Sequence, residues 1–222
     1  RGRAGHRAGR TGQATSSAAA AAIWYPVDTA GAAARIAWAL STYRELVEIS
    51  RQSATGVSMI ELRTFSRKGA IRIPAWAVPL GGRQLQHNEL SVSSTAQTPA
   101  SPTSGFSLTV PVMDTTRYLD YLEQRLLEAD GSITGNLVFD QLDEVDQQFD
   151  LVINCSGIGT KTLVPDCDLE PHRGQVAVVQ KIELPCAVVC DDPPLMYAIP
   201  RTNDCVFGGT NELSGSRGAD SE

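Results

Sequence analysis

The 222-residue sequence lacks several features that would decide its class at once. No apolar run reaches the roughly 18 residues that a membrane-spanning helix needs, so we expect a soluble protein without a membrane partner. The five cysteines are an odd number, and Cys186 and Cys190 are too widely spaced for a CxxC pair. We therefore expect reduced, mostly buried thiols in an intracellular protein. No HExxH motif or Cys/His cluster occurs, and no metal site is predicted.

Positive charge is also scarce. The formal net charge is −6 and the pI is about 5.1, which argues against nucleic acid as a partner. The exception is the Arg/Gly-rich start at residues 1–12, which lacks an initiating Met and would also suit a nucleic-acid arm or a transit segment. With the polar residues 213–222, it favours a fragment or an imperfect gene model. No secretory segment is present.

What the sequence does contain is an α/β pattern. Residues 31–50 carry apolar groups at the period typical of a helix, and residues 55–67 alternate apolar and polar groups as a strand does. A strand is predicted at 105–114, followed by a helix at about 116–129 that Asp114 or Thr115 can cap. The polar residues 83–104 predict an exposed loop. A short strand is predicted at about 135–139. Later strands, antiparallel in character, are predicted in residues 174–182, 187–192, 196–201 and 205–212.

The segment LVINCSGIGT, residues 151–160, predicts a strand buried on both faces and ending in a glycine turn. Ser156 and Gly157 would then lie where α/β folds bind cofactors, although any strand, turn and helix can give this pattern. No GxGxxG or Walker loop supports a nucleotide site independently.

The segment TSSAAAAAIWYP, residues 15–26, has two interpretations. Three hydroxyl residues before five alanines are typical of a capped helix start. Alternatively, a helix start is kept slim so that a phosphate-bearing ligand can lie against the backbone.

In MYAIPR, Tyr197 and Arg201 would share one face of a strand. A phenol and a guanidinium there can hydrogen-bond a carboxylate, or they can be an edge tyrosine and a surface arginine. His172 is more typical of a surface or packing residue than of a catalyst. The acidic string from Asp140 to Asp146 predicts a solvated face.

Six segments together resemble, in order, the FAD-dependent D-amino-acid oxidase and D-aspartate oxidase family, over most of residues 13–212. They are TSSAAAAAIWYP, ATGVSMIELR, VPVMDTTRYLDYLEQRLLEADG, FDLVINCSGIGTKTL, LEPHRGQVAVV and MYAIPRTNDCVFGGTNE.

The resemblance implies an incomplete, Rossmann-like FAD-binding α/β domain interleaved with a substrate domain built on a mixed β-sheet. The FAD-binding parts are expected at 13–50 and 131–175, and the substrate-domain parts at 51–130 and 176–212. It implies oxidation of a D-amino acid to a 2-oxo acid and ammonia, with FAD as cofactor and O₂ reduced to hydrogen peroxide. A peroxisomal or cytoplasmic location is expected, and a homodimer is left open.

The resemblance also assigns residues. Tyr197 matches a tyrosine that bonds the substrate carboxylate, and Arg201 is a looser match for the same site. Residues 15–17 would contact the FAD phosphates, residues 21–23 the flavin, and the Val138 backbone the adenine end. The residues expected to hold FAD are Thr15, Ser16, Ser17, Ala21, Ala22, Ile23, Val138, Ser156 and Gly157.

The chain also departs from the family pattern. RGRAGHRAGR stands where a strand–GxGxxG–helix unit should end, and the family's carboxylate-binding arginine would lie beyond the last residue. Ala22 replaces a common family glycine and would crowd the flavin. We therefore expect this polypeptide alone to bind FAD weakly and to turn over little. Two alternatives stay open: a non-catalytic relative acting as an interaction module, and a flavin oxidase of the glycine or sarcosine type.

Overall fold

The computed structural model describes residues 3–5, 16–26, 33–90, 101–135, 137–145, 149–164 and 168–213. The chain divides into two compact units. The first unit comprises Arg1–Ala19, Leu119–Gln175 and Thr210–Glu222, and the second comprises Ala20–Tyr118 and Val176–Gly209. The domain boundaries expected from the sequence stay a prediction.

The regular elements are numbered in chain order. The strands are β1 Arg3–Gly5, β2 Val57–Ser66, β3 Arg83–Gln84, β4 Ser104–Met113, β5 Ser132–Thr134, β6 His172–Arg173, β7 Val176–Gln180, β8 Ala187–Cys190, β9 Met196–Pro200, β10 Asp204–Gly208 and β11 Glu212–Leu213. The α-helices are α1 Ser16–Ala19, α2 Ala33–Ser50, α3 Thr115–Glu128 and α4 Thr160–Leu163, and short 3₁₀ turns lie at Val78–Leu80, His87–Glu89, Leu142–Glu144 and Gly157–Gly159.

The second unit is built on a seven-stranded sheet in the order β3-β4-β2-β8-β9-β10-β7. Neighbouring strands are antiparallel, except that β2 and β8 are parallel. Strand β4 lies inside the core and is buried on both faces: Phe106, Ser107, Leu108 and Val110 are each at most 3% exposed. The predicted strands at 55–67 and 105–114 are therefore confirmed, and so is the antiparallel character of the later strands.

Helix α2 confirms the helical period predicted for residues 31–50. Its buried residues, Leu46 and Ile49, belong to the predicted apolar stripe. The Tyr43 hydroxyl donates to the Thr109 carbonyl of β4 at 3.1 Å, which attaches the helix to the sheet.

Helix α3 begins one residue earlier than predicted, so Asp114 is the capping residue and Thr115 the first helical one. The Asp114 carboxylate accepts the Thr116 hydroxyl at 2.7 Å. The Asp114 amide donates to the Gly56 carbonyl at 2.7 Å, which joins the helix start to the loop before β2.

The first unit contains two small ladders, a parallel β1–β5 pair and an antiparallel β6–β11 pair. Here two sequence predictions are wrong. Residues 151–156 form no strand, and Leu151 and Ile153 are 75% and 74% exposed. No strand occurs at 137–139 either; the nearest one, β5, ends at Thr134. An apolar run becomes a buried strand only where neighbouring strands pair with it, and the described part of the chain places none beside residues 151–156.

Within the described ranges, no helix is long and apolar enough to cross a bilayer, and no three or more His, Cys, Asp or Glu side chains form a group that could hold a metal ion. Cys186, Cys190 and Cys205 are buried and Cys155 is exposed, while Cys167 lies outside the described residues. The acidic residues 140, 143 and 144 are exposed as predicted, whereas Asp146 lies outside. In the predicted loop at 83–104, residues 83–84 form β3 and residues 91–100 lie outside.

Candidate functional site

The alanine run of TSSAAAAAIWYP does not continue as a helix. Helix α1 is a single turn, and the segment of residues 20–23 leaves it and pairs with the end of β4. The Trp24 amide donates to the Pro111 carbonyl at 2.9 Å, and the Met113 amide donates to the Ala22 carbonyl at 2.9 Å. These bonds hold the 20–23 segment on the sheet of the second unit.

Ala22 has a backbone torsion that favours glycine. Its φ is +42°, in the left-handed region, where an L-residue with a Cβ pays on the order of 1 kcal/mol. Ala21, Ala22 and Ile23 are all half-buried. Ala21 and Ala22 thus place small side chains on a partly exposed, hydrogen-bonded backbone.

Arg201 is buried, only 9% exposed, and follows directly after β9. Its Nε and Nη2 atoms donate to the two carboxylate oxygens of Asp204 at 2.6 and 2.7 Å, a two-bond ion pair. Its Nη1 atom donates to the Ala20 carbonyl at 3.2 Å and to the Thr115 hydroxyl at 3.3 Å. The bond to Asp204 comes first among the causes that raise the Arg201 pKa, so the guanidinium stays charged.

Asp114 supplies a second charge beside Arg201. Burial alone would raise its pKa, but hydrogen bonds from Thr116 and Thr202 and the positive charge of Arg201 outweigh burial and lower it. Asp114 is therefore ionised at neutral pH, and the α3 start carries a carboxylate where the helix dipole favours one.

A cleft of about 270 Å³ opens in the second unit next to these residues. Its walls come from the first residues of β2, from residues 181–184 and from the turn at Pro200, Arg201 and Thr202. Asp114 and Val112 also line it. Of the two residues predicted to bind substrate, Arg201 lines this cleft and Tyr197 does not.

Tyr197 is half-buried in β9 and lies opposite Gly208 of β10. A Cβ at position 208 would overlap the Tyr197 ring, so the phenol lies directly on the glycine backbone. Burial raises the Tyr197 pKa, and the hydroxyl keeps its proton at neutral pH. It can therefore donate a hydrogen bond to a carboxylate.

The remaining predicted FAD residues fall in the first unit. Ser16 and Ser17 are exposed in α1, and Thr15 lies outside the described residues. Val138 is 48% exposed in an irregular stretch. Ser156 donates its hydroxyl to Asn154 at 2.7 Å and lies 2.9 Å from the Thr160 hydroxyl.

Gly157 has a φ of +58°, and nothing lies within 4 Å of where its Cβ would stand. The backbone at 156–157 is therefore open to a ligand. His172, in the same unit, is exposed as expected, and its Nδ1 lies 2.7 Å from the Asn211 side-chain oxygen.

In the second unit, the structure joins Arg201 directly to the 20–23 segment by way of Ala20. The sequence prediction missed two members of this arrangement, Asp204 and Thr115. The sequence spacing indicated Asp204, because it stands three residues after Arg201 in PRTND and a tight turn can bring the two charges together. Nothing local indicates that Thr115 would meet the same guanidinium.

Comparison with known proteins gives a family match over nearly the whole chain. A family model described as DAO, FAD dependent oxidoreductase, matches residues 6–222. The chain is 32% identical over 201 residues to a D-amino-acid oxidase of Rubrobacter xylanophilus, covering 89% of this chain and 59% of that protein. It is 29% identical over 180 residues to a D-aspartate oxidase of Homo sapiens, covering 79% of this chain and 50% of that protein. The chain thus spans 50–59% of the length of these relatives.

Solved structures match the fold. A glycine oxidase from Geobacillus kaustophilus superposes with a TM-score of 0.64 at 13% identity, covering 95% of this chain and 65% of that one. An iminodiacetate oxidase from Chelativorans superposes with a TM-score of 0.57 at 12% identity, covering 99% of this chain and 68% of that one. The predicted α/β class with a mixed sheet is confirmed.

Proposed function

Because the chain belongs to the FAD-dependent oxidoreductase family, whose cofactor is FAD, we propose that the protein oxidises a D-amino acid at its α-carbon. The observation that carries the proposal is the 32% identity to a D-amino-acid oxidase over 89% of the chain. Bound FAD would supply the two-electron oxidation and O₂ would take the electrons on to hydrogen peroxide, so that the amino acid and water yield a 2-oxo acid and ammonia.

The 20–23 segment would form one wall of the flavin site. Its methyl-sized side chains at Ala21 and Ala22 leave the backbone accessible, and its hydrogen bonds to β4 fix that backbone before any ligand arrives. The exposed hydroxyls of Ser16 and Ser17 are donors of the type that phosphate oxygens accept. The exposed Ser156 hydroxyl, which donates to Asn154, can accept a hydrogen bond from a ribose hydroxyl. We assign these residues, with Thr15, Ile23, Val138 and Gly157, to cofactor binding.

Tyr197 would hold the substrate carboxylate. Its hydroxyl stays protonated because burial raises its pKa, and the Gly208 backbone beneath the ring fixes its direction. A neutral phenol donating to a carboxylate adds binding without moving a proton, which suits a reaction whose oxidation step falls to the cofactor.

The test is peroxide formation by the protein, expressed at the full length of its open reading frame and loaded with FAD. The panel contains D-alanine, D-aspartate, glycine, sarcosine and L-alanine. We expect peroxide with a D-amino acid and none with L-alanine. A preference for glycine or sarcosine would replace the proposed substrate class, and a protein that binds no FAD and forms no peroxide would favour the interaction-module alternative.

A matched pair of variants tests the role of Tyr197. Tyr197→Phe removes the donor and should raise the substrate KM by about tenfold, the equivalent of one hydrogen bond to a charged group. Tyr25→Phe removes a phenol that instead lies 3.4 Å from the Asp191 carboxylate, and KM should stay unchanged. Equal KM values for the two variants would overturn the assignment.

A further inference from the structure

We infer that Arg201 and Asp204 act together as positioning residues that hold the flavin-facing 20–23 segment in place, so that Arg201 is not a ligand of the substrate carboxylate. The inference rests on the proposed function, because it takes the 20–23 segment as the flavin wall. It reassigns Arg201, which the sequence placed in the substrate site.

The first step of the argument is what the guanidinium already contacts. All three of its nitrogens donate: Nε and Nη2 to Asp204, and Nη1 to the Ala20 carbonyl and the Thr115 hydroxyl. A substrate carboxylate approaching in the two-bond geometry would have to displace Asp204, which already occupies that face of the fork.

The second step is how the 20–23 segment is held. Its later part is bonded to β4 by the Ala22 carbonyl and the Trp24 amide. Its first residue is bonded by the Ala20 carbonyl, which accepts from Arg201 at 3.2 Å and from the Thr115 hydroxyl at 3.4 Å. Between these two attachments lies Ala22 with its left-handed φ of +42°. A strained backbone persists only where its surroundings fix it, so the loss of the first attachment should free the segment.

The third step is why Asp204 contributes to positioning the 20–23 segment. Its carboxylate holds the Nε–Nη2 edge of the guanidinium and so leaves Nη1 aimed at Ala20. The backbone reinforces this, since the Arg201 amide donates to the Asp204 carbonyl at 2.9 Å and closes the turn between β9 and β10. Both Asp204 carboxylate oxygens accept from Arg201. We therefore expect an effect of the removal of the Asp204 charge on the cofactor to come through Arg201.

The test compares Asp204→Asn and Arg201→Lys with Glu89→Gln as the matched control. Glu89 also pairs with an arginine through two bonds, at 2.8 Å each to Arg83, but it lies elsewhere on the second unit and away from the 20–23 segment. Two properties are measured: amide hydrogen exchange of the peptide covering residues 20–26 without cofactor, and the FAD dissociation constant by flavin fluorescence. The substrate KM is then measured at saturating FAD.

We expect Asp204→Asn to speed exchange in residues 20–26 and to raise the FAD dissociation constant by about tenfold. The substrate KM at saturating FAD should stay within about twofold of the unmodified protein. Arg201→Lys keeps the charge but not the planar, forked donor set, so its exchange rate and its FAD dissociation constant should lie between those of Asp204→Asn and those of the unmodified protein. Glu89→Gln should match the unmodified protein in all three measurements.

Two outcomes overturn the inference. Unchanged exchange and unchanged FAD affinity in Asp204→Asn would show that the pair does not position the segment. A raised KM with unchanged FAD affinity in Arg201→Lys would return Arg201 to the substrate carboxylate. Failure of the proposed function is distinct, because it would show in the unmodified protein, either as no FAD binding or as peroxide from glycine or sarcosine in place of a D-amino acid. The exchange measurement would still report on the segment.

Discussion

The aromatic ring of Tyr197 lies against the backbone of Gly208, its register partner across β9 and β10. No side chain larger than hydrogen fits at position 208 while the ring keeps this place. Gly208, the first glycine of CVFGGTNE, thus leaves the space that the Tyr197 phenol occupies.

Gly208→Ala should therefore displace the Tyr197 ring and raise the substrate KM by about tenfold, as Tyr197→Phe should. The overlapping atoms are the far end of a half-buried side chain that can turn away, so the free energy of unfolding should fall by no more than about 1 kcal/mol. Gly135→Ala is the control, because nothing lies within 4 Å of the added methyl, and it should change neither KM nor the free energy of unfolding. An unchanged KM for Gly208→Ala would show that the glycine does not set the position of the phenol.

Ala22→Gly should stabilise the protein. Glycine adopts φ values near +42° without the steric cost that alanine pays, which outweighs its greater freedom in the unfolded chain, and we expect a net gain of about 0.5 kcal/mol. Ala21→Gly, at a neighbour that lacks a positive φ, should lose stability instead. Thermal unfolding decides: a lower midpoint for Ala22→Gly would show that the backbone at this position is not strained.

Stability should depend on Asp114 in a pH-dependent way. Its folded pKa is lowered, so the unfolded chain binds its proton first as the pH falls, and the stabilisation is present above the ordinary Asp pKa of about 3.9. It is lost as the pH drops through the lower folded value. Asp114→Asn keeps a capping side chain but removes the charge, so it should be less stable than the unmodified protein at neutral pH.

The free energies of unfolding of Asp114→Asn and of the unmodified protein should converge in acid, where the Asp114 carboxylate becomes protonated. Urea unfolding at neutral pH and at about pH 3 measures the difference. A gap between Asp114→Asn and the unmodified protein that stays constant over this range would contradict the ionised carboxylate next to Arg201.

Trp24 should contribute more to stability than Trp38. It is buried, its Nε1 donates to the Ala39 carbonyl of α2 at 3.0 Å, and its ring meets those of Tyr43 and Trp76 edge to face at 4.9 and 5.4 Å. Trp24→Phe should cost about 1–2 kcal/mol of unfolding free energy. Trp38→Phe, at a side chain 69% exposed, should cost almost nothing. Equal costs would mean that Trp24 does not fasten α2.

Sequence patterns predicted the elements that find their partners within the second unit. Helix α2 follows a helical period and buries Leu46 and Ile49, and the two strand-like stretches that form β2 and β4 pair with each other along their whole length. Residues 151–156 have an equally clear apolar run but form no strand, because a strand needs paired neighbours and not only apolar side chains. Composition alone cannot supply that information.

The sequence proposed members of the candidate site but not their contacts. The assignments of Tyr197 and of residues 21–23 came from the ordered set of matching segments and stay predictions, and the contact between Tyr197 and Gly208 was not foreseen. Arg201 was singled out, but its partners were not. Whether an arginine meets an aspartate three residues away or an outside carboxylate depends on the turn between β9 and β10, and local pattern does not encode that turn.

The most direct measurement of the central claim is the flavin spectrum of the FAD-loaded protein mixed without oxygen with D-alanine, D-aspartate or L-alanine. We predict that a D-amino acid bleaches the long-wavelength flavin band and that L-alanine leaves it unchanged, with colour and peroxide returning when O₂ is admitted. A flavin band that no D-amino acid bleaches, or that both enantiomers bleach equally, would contradict a D-amino-acid oxidase.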